Sequence, residues 1–586
     1  MNDEEWSKIK SDAEHFLSEN QEKYEIIKNF QEQLVNLTND NFLETIQFIK
    51  DHLDVFFKDH GTAISFIHII MRSLVFNFQK FELILDIVIY FSTEIRNSNI
   101  NDYELLKICD IYQISQNYLF YKNFFTIEAI TKQSYTDDLI FIKFLPEIEQ
   151  YDSEYVKLRK KNLKLFTKPK MQNLLKEVES DPEKHIQNRT INYHPSLLHK
   201  SIRDDDISLF QSILSKNNFS VNHQIAFSYY ERTQTIDSDL CLIQIAATYS
   251  AIKIFKFLWM QNDINLPENL LQYCFFGCNN EIIHLCENKL PHDGAILQTI
   301  YLNRLDLLDY YIENFEEKIV ENNEVIKNAF VSRTENDDLY QCLNFDCLLA
   351  SVDFLSIPII QSCLPKIIFI VKNVDMKNLN QNSLFVNRTS LLAASIGHFD
   401  LFKFLYSQND SDSKEIDFYW DCLVRSILLT NFDVFKFLFF EKIGNFALDH
   451  QPAIFRQCII FDSDLTNFIL DFMIDEIESD SENKTVFDAF KSFIQFHHLR
   501  FQLKYYNEDA VFKMIKLFHF FDDNDDSITC FIFDLAKVAS KKMILSLFDR
   551  LILILNETVL VKMKDTFDGI GISLVATFIQ SKIKCE

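Results

Sequence analysis

The chain has 586 residues, 58 basic against 85 acidic side chains and a formal charge of −27. Its length exceeds what one compact core accommodates. Its acidity argues against a general nucleic-acid binder or an adherent to anionic membranes, since both need a basic face.

Glycine is scarce, with 7 in the chain and Gly569-Ile-Gly571 the only near pair. Loops that cradle phosphate need clustered glycines so that backbone N–H groups can approach the anion. Nucleotide chemistry of the P-loop, Rossmann or kinase type is therefore not expected. With only 9 prolines as well, long helices and few elaborate loops are predicted.

The N-terminus, Met-Asn-Asp-Glu-Glu-Trp, is acidic and lacks an apolar run, so no secretory signal is expected. Phe42, Ile46, Ile49 and Leu53 recur at helical spacing, as do Phe81, Ile84, Leu85 and Val88. The most apolar stretches, Thr62–Phe78 and Phe81–Ser92, are interrupted by His68, Arg72, Glu82 and Asp86. Neither supplies about 20 uninterrupted apolar residues, and no membrane insertion is predicted. Burying one Phe is worth roughly 1.5–3 kcal/mol, so the 58 phenylalanines are read as core.

Residues 1–188 are read as a helical N-terminal domain with a polar linker at about 157–188. There Lys157, Arg159, Lys160, Lys161, Lys164, Lys168 and Lys170 precede Glu177, Glu179 and Asp181. The basic run is assigned to a solvated helix face rather than a site for phosphate or an acidic partner.

Past Tyr193 a phrase recurs: Ile254-Phe-Lys-Phe-Leu258, Leu401-Phe-Lys-Phe-Leu405 and Val434-Phe-Lys-Phe-Leu438. Phe399 and Phe432, which open the longer forms of the last two copies, stand 33 residues apart. Such a period marks stacked repeats, each covering its neighbour's apolar face. Within Thr389–Leu405, a first short helix is expected to end at Gly397, where a left-handed stop favours glycine. A second helix follows, with Phe399, Leu401, Phe402 and Leu405 on its buried side, and small Ala393 and Ala394 allow close approach.

These residues resemble the ankyrin repeat, whose pattern runs Thr-Pro-Leu-His-x-Ala-Ala-x-x-Gly-His before a second helix. Ser196-Leu-Leu-His199 keeps the histidine, and Cys241–Ala251 keeps Ala246 and Ala247. The best repeats are 195–312 and 386–441. Weaker copies follow around Cys274–Cys286, Thr299–Tyr311, Ser351–Cys363, Ser426–Leu438, Gln457–Ile469, Leu503–Ile515 and Ala536–Phe548. Most lack the closing Gly and carry Ser250, Asp205, Asn303 or Asn507 near the helix stop. The pattern is similar to the divergent ankyrin-repeat proteins abundant in parasitic protists, where a helical N-terminal region leads into degenerate repeats. For His199 the resemblance implies a hydrogen bond between repeats.

Three constellations could suggest chemistry. Cys274, Cys278, His284 and Cys286 form the one Cys/His cluster, but its spacing does not match a zinc finger. It is read as structural thiols. Asp522-Asp-Asn-Asp-Asp526 begins like a calcium loop, yet Ser527 and Phe533 occupy the places that want Gly and Glu. It is read as a solvated loop, as are the acidic stretches Asn409–Glu415 and Glu478–Glu482. Adjacent His497 and His498 have no nucleophile motif beside them. No catalytic, cofactor-binding or metal residue is named. Twelve cysteines without framework spacing fit free thiols in a reducing, cytoplasmic setting.

The expected fold class is all-α: a helical N-terminal domain at 1–188, then an α-solenoid of degenerate ankyrin-like repeats over 193–586. The expected function is a non-enzymatic scaffold for protein–protein interaction, with no cofactor. Its repeat tips fall at Arg232–Asp239, Asn378–Arg388, Gln408–Asp417 and Lys442–Asp449. The rival readings are an enzyme with a site in 1–188, and a structural spacer.

Overall fold

The structure, a computed structural model, describes residues 3–76, 80–100, 102–111, 116–134, 137–166, 169–191, 193–226, 228–231, 239–287, 289–290, 298–300, 302, 304–319, 356–373, 399–407, 433–434, 437–438, 470–471, 499, 508–518, 525–539 and 541–583. These residues are predominantly helical. The exception among them is one short antiparallel hairpin, Gln224–Ile225 with Leu240–Cys241, in which Gln224 faces Cys241 and Ile225 faces Leu240. Two compact units form. The first draws on 1–101, 107–124 and 187–425, the second on 102–106, 125–186 and 426–586.

The first unit opens with a 33-residue helix, Asp3–Val35. Its apolar stripe of Ile9, Ala13, Phe16, Tyr24, Ile27, Phe30 and Leu34 is buried, the i, i+3, i+4 pattern that makes a helix amphipathic. One end of the stripe meets an aromatic cluster. Phe30 stacks on Phe66 at 5.5 Å, and Phe56 and Phe57 approach Phe66 at 5.4 and 4.7 Å. The helix also packs against Ile357–Asn373, hundreds of residues away in sequence. Phe16 stacks on Phe404 at 4.3 Å, and Lys23 Nζ pairs with Asp400 at 3.0 Å. The helix Phe399–Ser407 therefore leans on the first helix of the chain.

The helix His60–Phe76 is a core helix. Its His68 is buried, and burial, with Arg72 nearby, drives the imidazole well below its ordinary pKa, so it stays neutral. Among the described residues no helix is long and apolar enough to cross a membrane.

Between residues 197 and 287, short helices come in pairs. Leu197–Arg203 is followed by Ile207–Asn217, Leu242–Thr248 by Ile252–Trp259, and Leu270–Gly277 by Asn280–Glu287. First helices pack on first helices: Leu242–Thr248 touches both Leu197–Arg203 and Leu270–Gly277. Second helices do the same, since Ile252–Trp259 touches both Ile207–Asn217 and Asn280–Glu287. Each helix thus covers the apolar face of the next. Every residue of Leu242–Thr248 is buried, as the middle member of a stack must be.

The turn inside each pair uses one backbone device. Asp205, Ser250 and Cys278 all have positive φ, at 49°, 55° and 55°. These left-handed residues stop the first helix and reverse the chain. Sequence spacing anticipates Asp205 and Ser250 here. The third stop differs: Cys278 takes the left-handed conformation, while Gly277 before it serves packing. A Cβ at Gly277 would overlap the Ala247 carbonyl oxygen, so glycine lets neighbouring first helices touch.

In the second unit, Glu508–Phe518 packs on Lys541–Leu551, which packs on Ser573–Ile583, and Asp525–Val538 packs on Glu557–Gly569. Lys541 begins 33 residues after Glu508, Ser573 begins 32 after Lys541, and Glu557 begins 32 after Asp525. The same alternation therefore recurs near the C-terminus with the period read from sequence. Apart from Asp181, the described residues of the polar stretch 157–188 are helical, contributing to Ser153–Phe166, Pro169–Ser180 and Pro182–Ile191. Arg159 reaches Asp138 at 2.6 Å, Lys160 reaches Glu179 at 3.3 Å, and Leu174, Leu175 and Val178 are buried.

Candidate functional site

The recurrent phrase places its side chains alike wherever it is described. Phe255 and Phe402 are buried, as are Leu258 and Leu405. Each buried Phe stacks along its own helix on an aromatic four residues on: Phe255 on Trp259 and Phe402 on Tyr406, both at 5.6 Å. Lys256 and Lys403 turn outward, Lys256 to Glu281 of the next second helix and Lys403 over the Phe399 ring at 4.0 Å. The second aromatics, Phe257 and Phe404, are half-buried and bridge outward. Phe257 meets Phe210 of the preceding pair edge-on at 6.1 Å, whereas Phe404 meets Phe16. Of the third copy, Val434 and Leu438 are buried, and Phe435 and Lys436 lie outside the described residues.

Polar side chains tie one pair to the next. The Asp205 carboxylate accepts the backbone N–H groups of Lys253 and Ile254, both at 3.1 Å. It therefore caps the second helix of the following pair, a placement favoured by the unpaired donors at a helix N-terminus. Asn222 donates to the Asp263 carbonyl at 2.7 Å and accepts from Asn265 N–H at 2.8 Å. Ser250 donates to the Gly277 carbonyl.

A dense polar cluster sits where the first two pairs meet. His194 and His199 stack face to face at 4.8 Å, and Tyr249 meets His199 edge-on at 5.2 Å. Glu231, its side chain fully buried, accepts from Tyr249 O–H at 2.8 Å and from His194 N–H at 3.2 Å, and lies 3.4 Å from His199 Nε2. The hydrogen-bonding histidine of this junction is His194. Its Nδ1 accepts from Ser196 N–H at 3.0 Å, which leaves the proton on Nε2 to donate to the Ala226 carbonyl at 3.0 Å.

His199 behaves otherwise than the family resemblance implies. It joins neighbouring pairs through ring contact with Tyr249, and neither ring nitrogen has a hydrogen-bond partner among the described residues. Burial, then His194 and Arg203, push its pKa down to about 3. Desolvation thus outweighs the pull of the Glu231 carboxylate, and the imidazole is neutral at ordinary pH. Glu231 spends its oxygens on Tyr249 and His194 and presents no face to solvent, so this acid–base-looking group is a junction that holds two pairs together.

The Cys/His cluster resolves into three separate environments. Cys274 and Cys286 are buried and face each other with sulfurs 3.5 Å apart. His284 turns to Glu287 at 2.8 Å. Cys278 donates to the Phe275 carbonyl at 3.1 Å, beside Arg304. Among the described residues no group of three His, Cys, Asp or Glu side chains could hold a metal ion.

Of the calcium-like run, residues 525–527 open the helix Asp525–Val538 instead of forming a loop. Residues 522–524 lie outside the described residues, as do His497, His498, 409–415 and 478–482. So do the repeat tips, apart from Asp239, and the stop expected at Gly397 with Ala393 and Ala394 before it. No protein-family model, curated protein or solved structure matches this chain.

Proposed function

We propose that the chain is a non-enzymatic scaffold of degenerate ankyrin-like repeats that binds a protein partner across its stacked helix pairs and repeat tips. The observation that carries this reading is the register of Asp205, Ser250 and Cys278. Three successive helix pairs reverse at the same left-handed position, and neighbours are joined by the Asp205 cap and the Asn222 bridge. This register supports reading the pairs as the repeating unit that the family resemblance implies. The short hairpin supports it too. It follows the second helix of one pair and precedes the first helix of the next, and the predicted tip Arg232–Asp239 falls in the chain between its strands.

A stack of this kind offers an extended surface built from many similar units, which suits recognition of another protein more than enclosure of a small substrate. The test is crosslinking mass spectrometry on the full chain recovered from its native cell with bound proteins. Crosslinks to a partner concentrated on 193–312 and the predicted tips are expected. Crosslinks confined to 1–188 would sink the scaffold reading, and a chain recovered without partners would favour the spacer.

A further inference from the structure

We propose that Cys274 and Cys286 are a covalent modification site, an oxidisable dithiol that closes a disulfide between the two helices of one pair inside the array. Among the described cysteines, the geometry is specific to these two thiols. Cys274 lies on Leu270–Gly277 and Cys286 on Asn280–Glu287, and both are fully buried. Their sulfurs sit 3.5 Å apart, with the Cys274 thiol directed at Cys286 and at the Leu270 carbonyl oxygen. Sulfurs already in van der Waals contact need only small side-chain rotations to reach the bonded distance of about 2.0 Å. Cys278 is near in sequence but engages the Phe275 carbonyl beside Arg304.

The chemistry balances with hydrogen peroxide as oxidant. One thiolate attacks a peroxide oxygen, the O–O bond breaks, and a sulfenic acid and water result. The second thiolate attacks that sulfur, the S–S bond forms, and hydroxide leaves and is protonated to water. Overall two thiols and one peroxide give one disulfide and two waters, with two electrons taken from the sulfurs.

Burial sets the rate. It pushes the Cys274 thiol well above its ordinary pKa, so little thiolate exists while the pair is closed. Reaction waits on local opening, which two helices of eight residues each permit more readily than a long helix does. The same shielding then protects the disulfide from reductants. The product fixes one helix pair in the middle of 193–312, and this holds whether or not the array binds a partner.

The experiment treats the full chain with graded hydrogen peroxide, quenches by alkylation under denaturing conditions, and maps peptides by mass spectrometry. Exposed Cys530 should oxidise first. A peptide linking Cys274 to Cys286 should then accumulate, with the melting temperature shifted upward and the shift reversed by dithiothreitol. Cys278→Ser should leave the link intact, and Cys286→Ser should abolish it. Recovery of Cys274 and Cys286 as free alkylated thiols after Cys530 is fully oxidised overturns the proposal, as does a link from either of them to Cys278. The unsubstituted chain alone decides the matter if a serine variant does not fold.

Discussion

A buried histidine with no hydrogen bond is uncommon, and at His199 the cost of charging it becomes a measurable property of the fold. Facing it are His194, Glu231, Tyr249 and Arg203. Its folded pKa is depressed to about 3, below the unfolded value near 6.5. The unfolded chain therefore binds the extra proton between those values. Stability from neutral His199 is complete above pH about 6.5 and is lost as pH falls toward 3. One such group sets a slope of at most about 1.4 kcal/mol per pH unit. Denaturant midpoints should hold steady from pH 8 to 7 and fall at pH 6 and 5, with His199→Gln flattening the fall. An equally steep fall in the variant would remove His199 from the account. Gly277 makes a second residue-scale prediction. A methyl group there would run into the Ala247 carbonyl oxygen. Gly277→Ala must therefore push two first helices apart and should cost about 1–3 kcal/mol, as overpacking does. An unchanged melting temperature would show that the stack yields there.

At the level of the helix, the recurrent phrase was legible because it obeys a helical period and its buried positions are all large and apolar. Phe255 and Phe402 went inward and Lys256 and Lys403 outward, as the spacing implies. The left-handed stops were partly legible, since Asp205 and Ser250 stand where a glycine would otherwise be expected. Cys278 was not, because cysteine has no particular tolerance of the left-handed conformation. The His194–Glu231 junction had no sequence signal at all: its members are 37 residues apart and meet only when two pairs stack. A direct comparison tests the phrase. Phe255→Ala removes a buried ring and should cost roughly 3–5 kcal/mol. Lys256→Ala gives up a solvent-facing ion pair worth about 0–1 kcal/mol. Chemical denaturation of both variants checks the ratio, and comparable losses would mean that the phrase is not an inward-outward repeat.

Across the first unit, the feature that sequence could not reveal is the return of helix Asp3–Val35 to Ile357–Asn373 and Phe399–Ser407. Periodicity reports which face of a helix is apolar, not which of many apolar faces will cover it. Sequence order alone makes the N-terminal helices remote from the repeat at 399–407, so damage there should leave them untouched. The Phe16–Phe404 stack and the Lys23–Asp400 pair lead to the opposite expectation. Truncating Phe404 to Ala should lower hydrogen-exchange protection in Phe399–Ser407 and, in the same experiment, around Phe16 and Lys23. A double-mutant cycle between Phe16→Ala and Phe404→Ala should give a coupling of about 0.5–1.5 kcal/mol, the range for aromatic pairs. Because Lys23 and Asp400 are partly exposed, added salt should weaken that ion pair and leave the ring coupling largely intact. Protection lost only within Phe399–Ser407, with additive single-variant effects, would restore the simple linear array in which each unit answers to its neighbours alone.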